Sequence, residues 1–193
     1  MGDRETSILE RWPRAVSHSA SLDPAASRMA SMSRTLLRIR PAKSLAQGKW
    51  LGHPVHPALT DLPIGFWTSA FMVDLVGGDG AAEVARRLIG WGNLTAIPTA
   101  LAGLADAQDL SHDDRRVAVV HGALNAAGLT AYVISWAVRR HPHRKMAIAS
   151  SFIGATSLTI AAHLGGHMVF NAQTMRNGAP SRPNEPRQPR LDC

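Results

Sequence analysis

Two imidazoles stand four residues apart in an otherwise apolar stretch, Ala162-His163-Leu164-Gly165-Gly166-His167. On a helix this spacing puts both rings on one face with Cβ atoms about 5–6 Å apart. That separation suits two ligands of one metal ion. It does not suit the two opposite axial positions of one haem, which would pair one of these histidines with His121, His53 or His56. His121 lies in a second apolar run, Val120-His121-Gly122-Ala123-Leu124-Asn125, where Asn125 is one turn away and can orient the ring. His53 and His56 each precede a proline in Gly52-His53-Pro54-Val55-His56-Pro57. Proline biases the preceding residue towards extended backbone, and Pro57 can open a helix because its missing N–H costs nothing in a first turn. The carboxylates expected at the same level are Asp61 and Asp106. A ligating imidazole usually donates its second N–H to a carboxylate or carbonyl, so Asp61, Asp106 and Asn125 are candidate supports. Imidazole suits Fe, Cu, Zn and Ni, which leaves b-type haem and a transition metal ion both open. The competing reading makes these histidines hydrogen-bonding groups between helices, and Asp61 and Asp106 caps or water contacts. His18, His112, His141 and His143 fall in tails or loops and read as solvated.

The elements that would position these groups are four long apolar segments, at about 58–77, 88–105, 117–138 and 146–170. A helix needs about 20 mostly apolar residues to cross the hydrocarbon core. The third and fourth segments carry no charged side chain apart from histidine, and the second is short but uncharged. The first holds Asp61 near its start and Asp74 near its end, where both can approach an interface. The third and fourth lack the polar stripe of a helix in a water-soluble bundle. Trp50, Trp91 and Trp136 stand at segment ends, where aromatic belts form. Small residues such as Ala123, Ala126, Ala127, Gly154, Ala155, Gly165 and Gly166 allow close helix approach. The expected fold is all-α, a four-helix transmembrane bundle over residues 50–172. Short connections make successive helices antiparallel, so His53, His56, His121, His163 and His167 should gather at the end of the bundle that faces the tails.

Charge is unevenly placed. Of 21 Lys and Arg, nine precede residue 50 and four follow residue 175. Residues 1–49 read as a basic tail, largely disordered or lying as amphipathic helices on the lipid surface, with 7–14 and 30–40 as the helical stretches. Residues 173–193, rich in Pro and Arg, read as a disordered tail. The single cysteine, Cys193, forms no intrachain disulfide. No apolar h-region with a cleavage site opens the chain. Tail charge and the missing export signal favour tails in the cytoplasm, whereas the dense cluster Arg139, Arg140, Arg144 and Lys145 argues the other way. Phosphate-binding loops, nucleophile elbows and zinc motifs are missing from the sequence. A stand-alone enzyme is therefore not the expectation, although a redox component fits. The basic tails lack a folded nucleic-acid motif, so anionic lipid rather than nucleic acid is the expected contact.

The stretch Trp50-Leu51-Gly52-His53-Pro54-Val55-His56-Pro57-Ala58-Leu59-Thr60-Asp61-Leu62-Pro63-Ile64-Gly65, followed by 98–106, 121–125 and Gly165-Gly166-His167, resembles the bacterial membrane family called domain of unknown function 2231. The likeness covers about residues 45–172. It implies a small multi-helix protein of the bacterial cytoplasmic membrane. Some members of that family are fused to Rieske-type domains, which implies a link to electron transfer. This chain departs from a bare family domain in its two tails and carries no Rieske domain.

Three functions remain open on the sequence. In the first, the one-sided histidine cluster binds b-type haem or a transition metal and exchanges electrons with quinone or with a redox protein such as a Rieske-type or cytochrome partner. In the second, the histidines are interhelical ties in a structural or assembly protein. In the third, His and Asp groups handle an ion or protons, although only Asp74 and Asn93 are polar groups near the far side.

Overall fold

The computed structural model describes residues 8–78, 80–140 and 143–178. Among them there are only helices and turns: α1 (Ile8–Ser17), α2 (Asp23–Leu36), α3 (Arg40–Ala46), α4 (His56–Val76), α5 (Ala81–Asp106), α6 (His112–Val138) and α7 (Arg144–Gly178). Helices α4–α7 correspond to the four apolar segments, but all are longer than their apolar stretches at one end or both. At the start of α6 the Ser111 hydroxyl caps the helix, accepting from the Asp114 N–H at 3.1 Å, so the helix begins before its apolar run. At the start of α5, Glu83 pairs with Arg86 and Arg87 and solubilises the first turn. Helix α7 continues to Gly178, past the expected start of the C-terminal tail at 173; residues 179–193 lie outside the described residues.

Three helices are long and apolar enough to cross a membrane: Ala81–Asp109, with its terminal 3-10 turn, His112–Val138 and Arg144–Val169. Helix α4 has spanning length, 21 residues, or about 31 Å at 1.5 Å per residue, but Asp61 and Asp74 lower its apolar character. It packs along α5 as an antiparallel hairpin, and α6 and α7 form a second such hairpin.

The interior of the bundle is built from small side chains. Ala70, Ala85, Ala96, Ala102, Ala105, Ala131, Ala147 and Ala161 are buried, while Leu62, Ile64, Phe71, Met72, Leu94, Ile97, Ile134, Phe152, Ile153 and Ile160 point outward. A water-soluble protein would bury the large apolar residues. Lipid removes the drive to hide them, and helices then associate through close backbone approach. At the centre Trp67 stacks on Tyr132, with ring centroids 4.3 Å apart and planes 3° from parallel. Gly92 leaves the space for Trp67 and Gly154 that for Tyr132; a Cβ on Gly154 would stand 2.8 Å from the Tyr132 ring. Pro63, inside α4, cannot bond to the Leu59 carbonyl four residues back. The Thr99 hydroxyl of α5 donates to that carbonyl at 3.1 Å and so repairs the helix from outside.

Helices α1–α3 are not detached from the bundle. The Arg116 guanidinium of α6 forms two hydrogen bonds to Asp23 of α2, at 2.7 and 3.0 Å. Gln108 and the Leu104 carbonyl meet the Ser33 hydroxyl, each at 2.7 Å. Gln47, following α3, donates to the Ala105 carbonyl at 3.0 Å and to Asp109 at 2.6 Å. The N-terminal segment thus lies across the end of the bundle where α5 stops and α6 begins.

Candidate functional site

His56, His121 and His163, one each from α4, α6 and α7, place a ring nitrogen on a backbone carbonyl of another helix. His56, the first residue of α4, reaches the Thr99 carbonyl of α5 at 2.9 Å through Nδ1. His121 of α6 reaches the Ala161 carbonyl of α7 at 2.8 Å through Nδ1. His163 of α7 reaches the Leu9 carbonyl of α1 at 2.8 Å through Nε2, and its ring stacks on Trp12 with centroids 5.7 Å apart. A carbonyl only accepts, so the bonded nitrogen carries the proton and donates. In the neutral ring of His56 or His121 this selects the Nδ1–H tautomer, in which the lone pair is on Nε2.

The local sequence explains why these bonds form. In a helix the carbonyls of Thr99 and Ala161 already face the N–H groups of Gly103 and Gly165, four residues on. Glycine at those two positions opens a path for a side chain from the neighbouring helix. A Cβ on Gly103 would stand 2.8 Å from the His56 ring, and one on Gly165 would stand 3.2 Å from the His121 ring. Asn125 donates through Nδ2 to the His121 carbonyl at 2.8 Å and lies 3.1 Å from His121 Nε2, which places it as the orienting neighbour expected from its i, i+4 position.

The remaining expected groups are spread more widely. His56 lies within electrostatic range of both Asp106 and His121, and His167 within range of His163, Arg14 and Asp114. His53 is exposed, its Nδ1 3.3 Å from the carbonyl of Pro54. Asp61 is exposed on α4. The hydrogen-bond partners of His56 and His121 are thus carbonyls and Asn125 rather than Asp61 or Asp106. Among the described residues no three His, Cys, Asp or Glu side chains converge at metal-binding distances. Of the four histidines set aside as solvated, His112 lies 3.7 Å from both Asp23 and Asp113, and His141 is outside the described residues.

The sequence reading missed two features. One is the covering of this end by α1–α3, whose key groups, Trp12, Asp23, Ser33 and Gln47, form no recognisable motif. Arg116 beside Asp23 holds the Asp23 carboxyl below its ordinary range. The other lies at the far end, where Arg139 grips Asp74 through both guanidinium nitrogens, one at 2.8 Å. The two side chains are 2% and 6% exposed, so the protein itself encloses the pair. Arg144 donates to the Asp74 carbonyl at 3.0 Å, and the Arg140 guanidinium sits 4.6 Å over the Trp136 ring. Equal depth at the far end of α4 and α6 was the available signal, since an acid inside an apolar segment calls for a partner.

Outward-facing large residues, a small-residue interior and three helices of spanning length define a multi-pass helical membrane protein. The family model of predicted membrane proteins known as domain of unknown function 2231 matches residues 52–177. The chain belongs to that family. No curated protein and no solved structure matches it.

Proposed function

We propose that this protein holds a redox cofactor at the histidine end of its membrane bundle and passes electrons to or from quinone or a redox protein such as a Rieske-type or cytochrome partner. The single observation that carries this reading is the state of His56 and His121. Each has its Nδ1–H committed to a carbonyl of the adjacent helix, which orients the ring and leaves Nε2 as a basic, directed electron pair. A b-type haem is favoured over a bare metal ion, because one or two imidazoles suffice to hold haem iron whereas a bare ion requires three or four converging ligands. We place the chain in the bacterial cytoplasmic membrane with its tails inside. Supporting this, nine of the 21 Lys and Arg lie in the first 49 residues, on the side of the tails.

The second reading, an assembly protein with histidines as interhelical ties, draws on the same carbonyl bonds. Bonds of this kind inside membranes are worth about 0.6 kcal/mol each, with a maximum of about 1.7 kcal/mol. Haem and metal content of protein purified in mild detergent, from a host that supplies haem, separates the two. Near-stoichiometric haem supports the redox reading. Folded protein with neither haem nor transition metal supports the ties.

A further inference from the structure

The two hairpins repeat each other. Val55-His56-Pro57-Ala58-Leu59 of the first answers to Val120-His121-Gly122-Ala123-Leu124 of the second, a shift of 65 residues. The same shift carries Pro63 onto Gly128, Trp67 onto Tyr132 and Ala70 onto Ser135, all buried. It also carries Asp74 onto Arg139. In the second helices a shift of 62 carries Ala85 onto Ala147, Ile89 onto Ser151, Gly92 onto Gly154, Thr99 onto Ala161, Ala102 onto Leu164 and Gly103 onto Gly165. Apart from Gly103 and Gly165, which are half-buried, every member of those pairs is buried. Function follows the same correspondence: Gly92 makes room for Trp67 as Gly154 does for Tyr132, and His56 bonds the Thr99 carbonyl as His121 bonds that of Ala161.

Equivalent residues also meet one another. Trp67 stacks on Tyr132, Asp74 pairs with Arg139, and His56 lies within electrostatic range of His121. Self-complementary contact of this kind marks a two-fold axis. Here the axis is a pseudo-two-fold running parallel to α4 and α6 and therefore along the membrane normal, the arrangement of parallel membrane repeats. Along it lie, in order, the two histidines, the stacked rings and the charged pair.

We infer that the bundle is a duplicated helical hairpin whose pseudo-two-fold axis makes His56 and His121 one symmetric pair of axial ligands for a single b-type haem, and that His163 and His167 are not ligands. This rests on the redox reading above and narrows it from five candidate histidines to two. A haem presents the same ligand requirement on its two faces, so two equivalent imidazoles on an axis match it. Each comes with the same support, an Nδ1–H bond to a carbonyl and a glycine against the ring. Nε2 of His121 lies 3.1 Å from the Asn125 amide nitrogen, which would have to give way for that nitrogen to hold a haem. His163 instead bonds the Leu9 carbonyl through Nε2 and stacks on Trp12, and so serves to dock α1.

The test titrates the full chain, purified in mild detergent, with haemin and follows the absorption spectrum. The native chain is expected to give a six-coordinate low-spin spectrum. His56→Gly and His121→Gly are each expected to lose it to the same degree and to regain it with free imidazole as haem that stays with the protein on gel filtration, in contrast to the free bis-imidazole haem that an unfolded variant would leave in the detergent. His163→Ala and His167→Ala are expected to keep it. A low-spin spectrum that survives both glycine variants and disappears with His163→Ala or His167→Ala would overturn the symmetric pair while leaving the redox reading intact. A spectrum lost with His56→Gly but not with His121→Gly would likewise overturn it. Folded native chain that binds no haemin would remove both.

Discussion

Replacing Asp74 with Ala leaves Arg139 enclosed at the far end of the bundle without its counter-charge. The guanidinium side chain is 2% exposed, and its other bond, to the Ser135 hydroxyl at 3.3 Å, is long. Breaking one partner of a buried pair costs about 3–5 kcal/mol, mostly because the remaining charge stays desolvated. The far end lies close to the interface, where water can reach a displaced arginine, so the lower part of that range, about 3 kcal/mol, is expected. Arg139→Ala should cost a similar amount, and Asp74→Ala with Arg139→Ala together distinctly less than the sum, giving a coupling energy of at least about 1.5 kcal/mol. Reversible unfolding in mixed detergent micelles, followed by circular dichroism for the four variants of the cycle, measures this. Single-variant costs below about 1 kcal/mol with no coupling, the behaviour of an exposed ion pair, would refute the claim that the pair is enclosed between α4 and α6.

Glycines facing rings should be intolerant. Gly154→Ala puts a methyl 2.8 Å from Tyr132 and is expected to cost about 1–3 kcal/mol, whereas Gly122→Ala, with open space around it, should be neutral or stabilising by up to about 1 kcal/mol in the same unfolding assay. The docking of α2 should survive mild acid. Because the Asp23 carboxyl is held below its ordinary value of 3.8 by Arg116, its contribution is fully present above that value and is lost only as pH falls through the lowered one; amide exchange in α2 should rise there, and at neutral pH in Asp23→Asn. Exchange that rises already near pH 6 would contradict this. Four membrane crossings with tails inside predict that a membrane-impermeant maleimide labels Cys193 only after cells are opened, while a cysteine replacing His143, in a Cys193→Ser background, labels in intact cells. Opposite accessibility of Cys193 and a cysteine placed at residue 45 would require an odd number of crossings.

Much of the bundle was legible because lipid imposes simple rules: uncharged segments of sufficient length are helices, and short connections make them antiparallel. Helix ends were less so, since Ser111 and Glu83 extend helices by local bonds that hydropathy does not register. The docking of α1–α3 was not legible, because it depends on single polar bonds, such as Ser33 to Leu104 and Gln47 to Ala105, between segments far apart in the chain. At the site, topology correctly brought His56 and His121 to one end and Asn125 to His121. The i, i+4 spacing of His163 and His167 suggested a ligand pair, yet His163 turns towards α1, because Trp12 offers it a stacking face and Leu9 a carbonyl. The inferred repeat is only partly legible: the Val-His-x-Ala-Leu runs at 55–59 and 120–124 match, whereas Trp67 opposite Tyr132 and Asp74 opposite Arg139 are equivalent in place but not in residue type.

The measurement that bears most directly on the central claim is the electron paramagnetic resonance spectrum of the oxidised full chain, purified in mild detergent from a host that supplies haem. Two imidazoles on one iron predict a low-spin ferric signal accounting for about one haem per chain. A high-spin ferric signal would contradict the paired ligation, and folded protein with no iron signal at all would contradict the redox role itself.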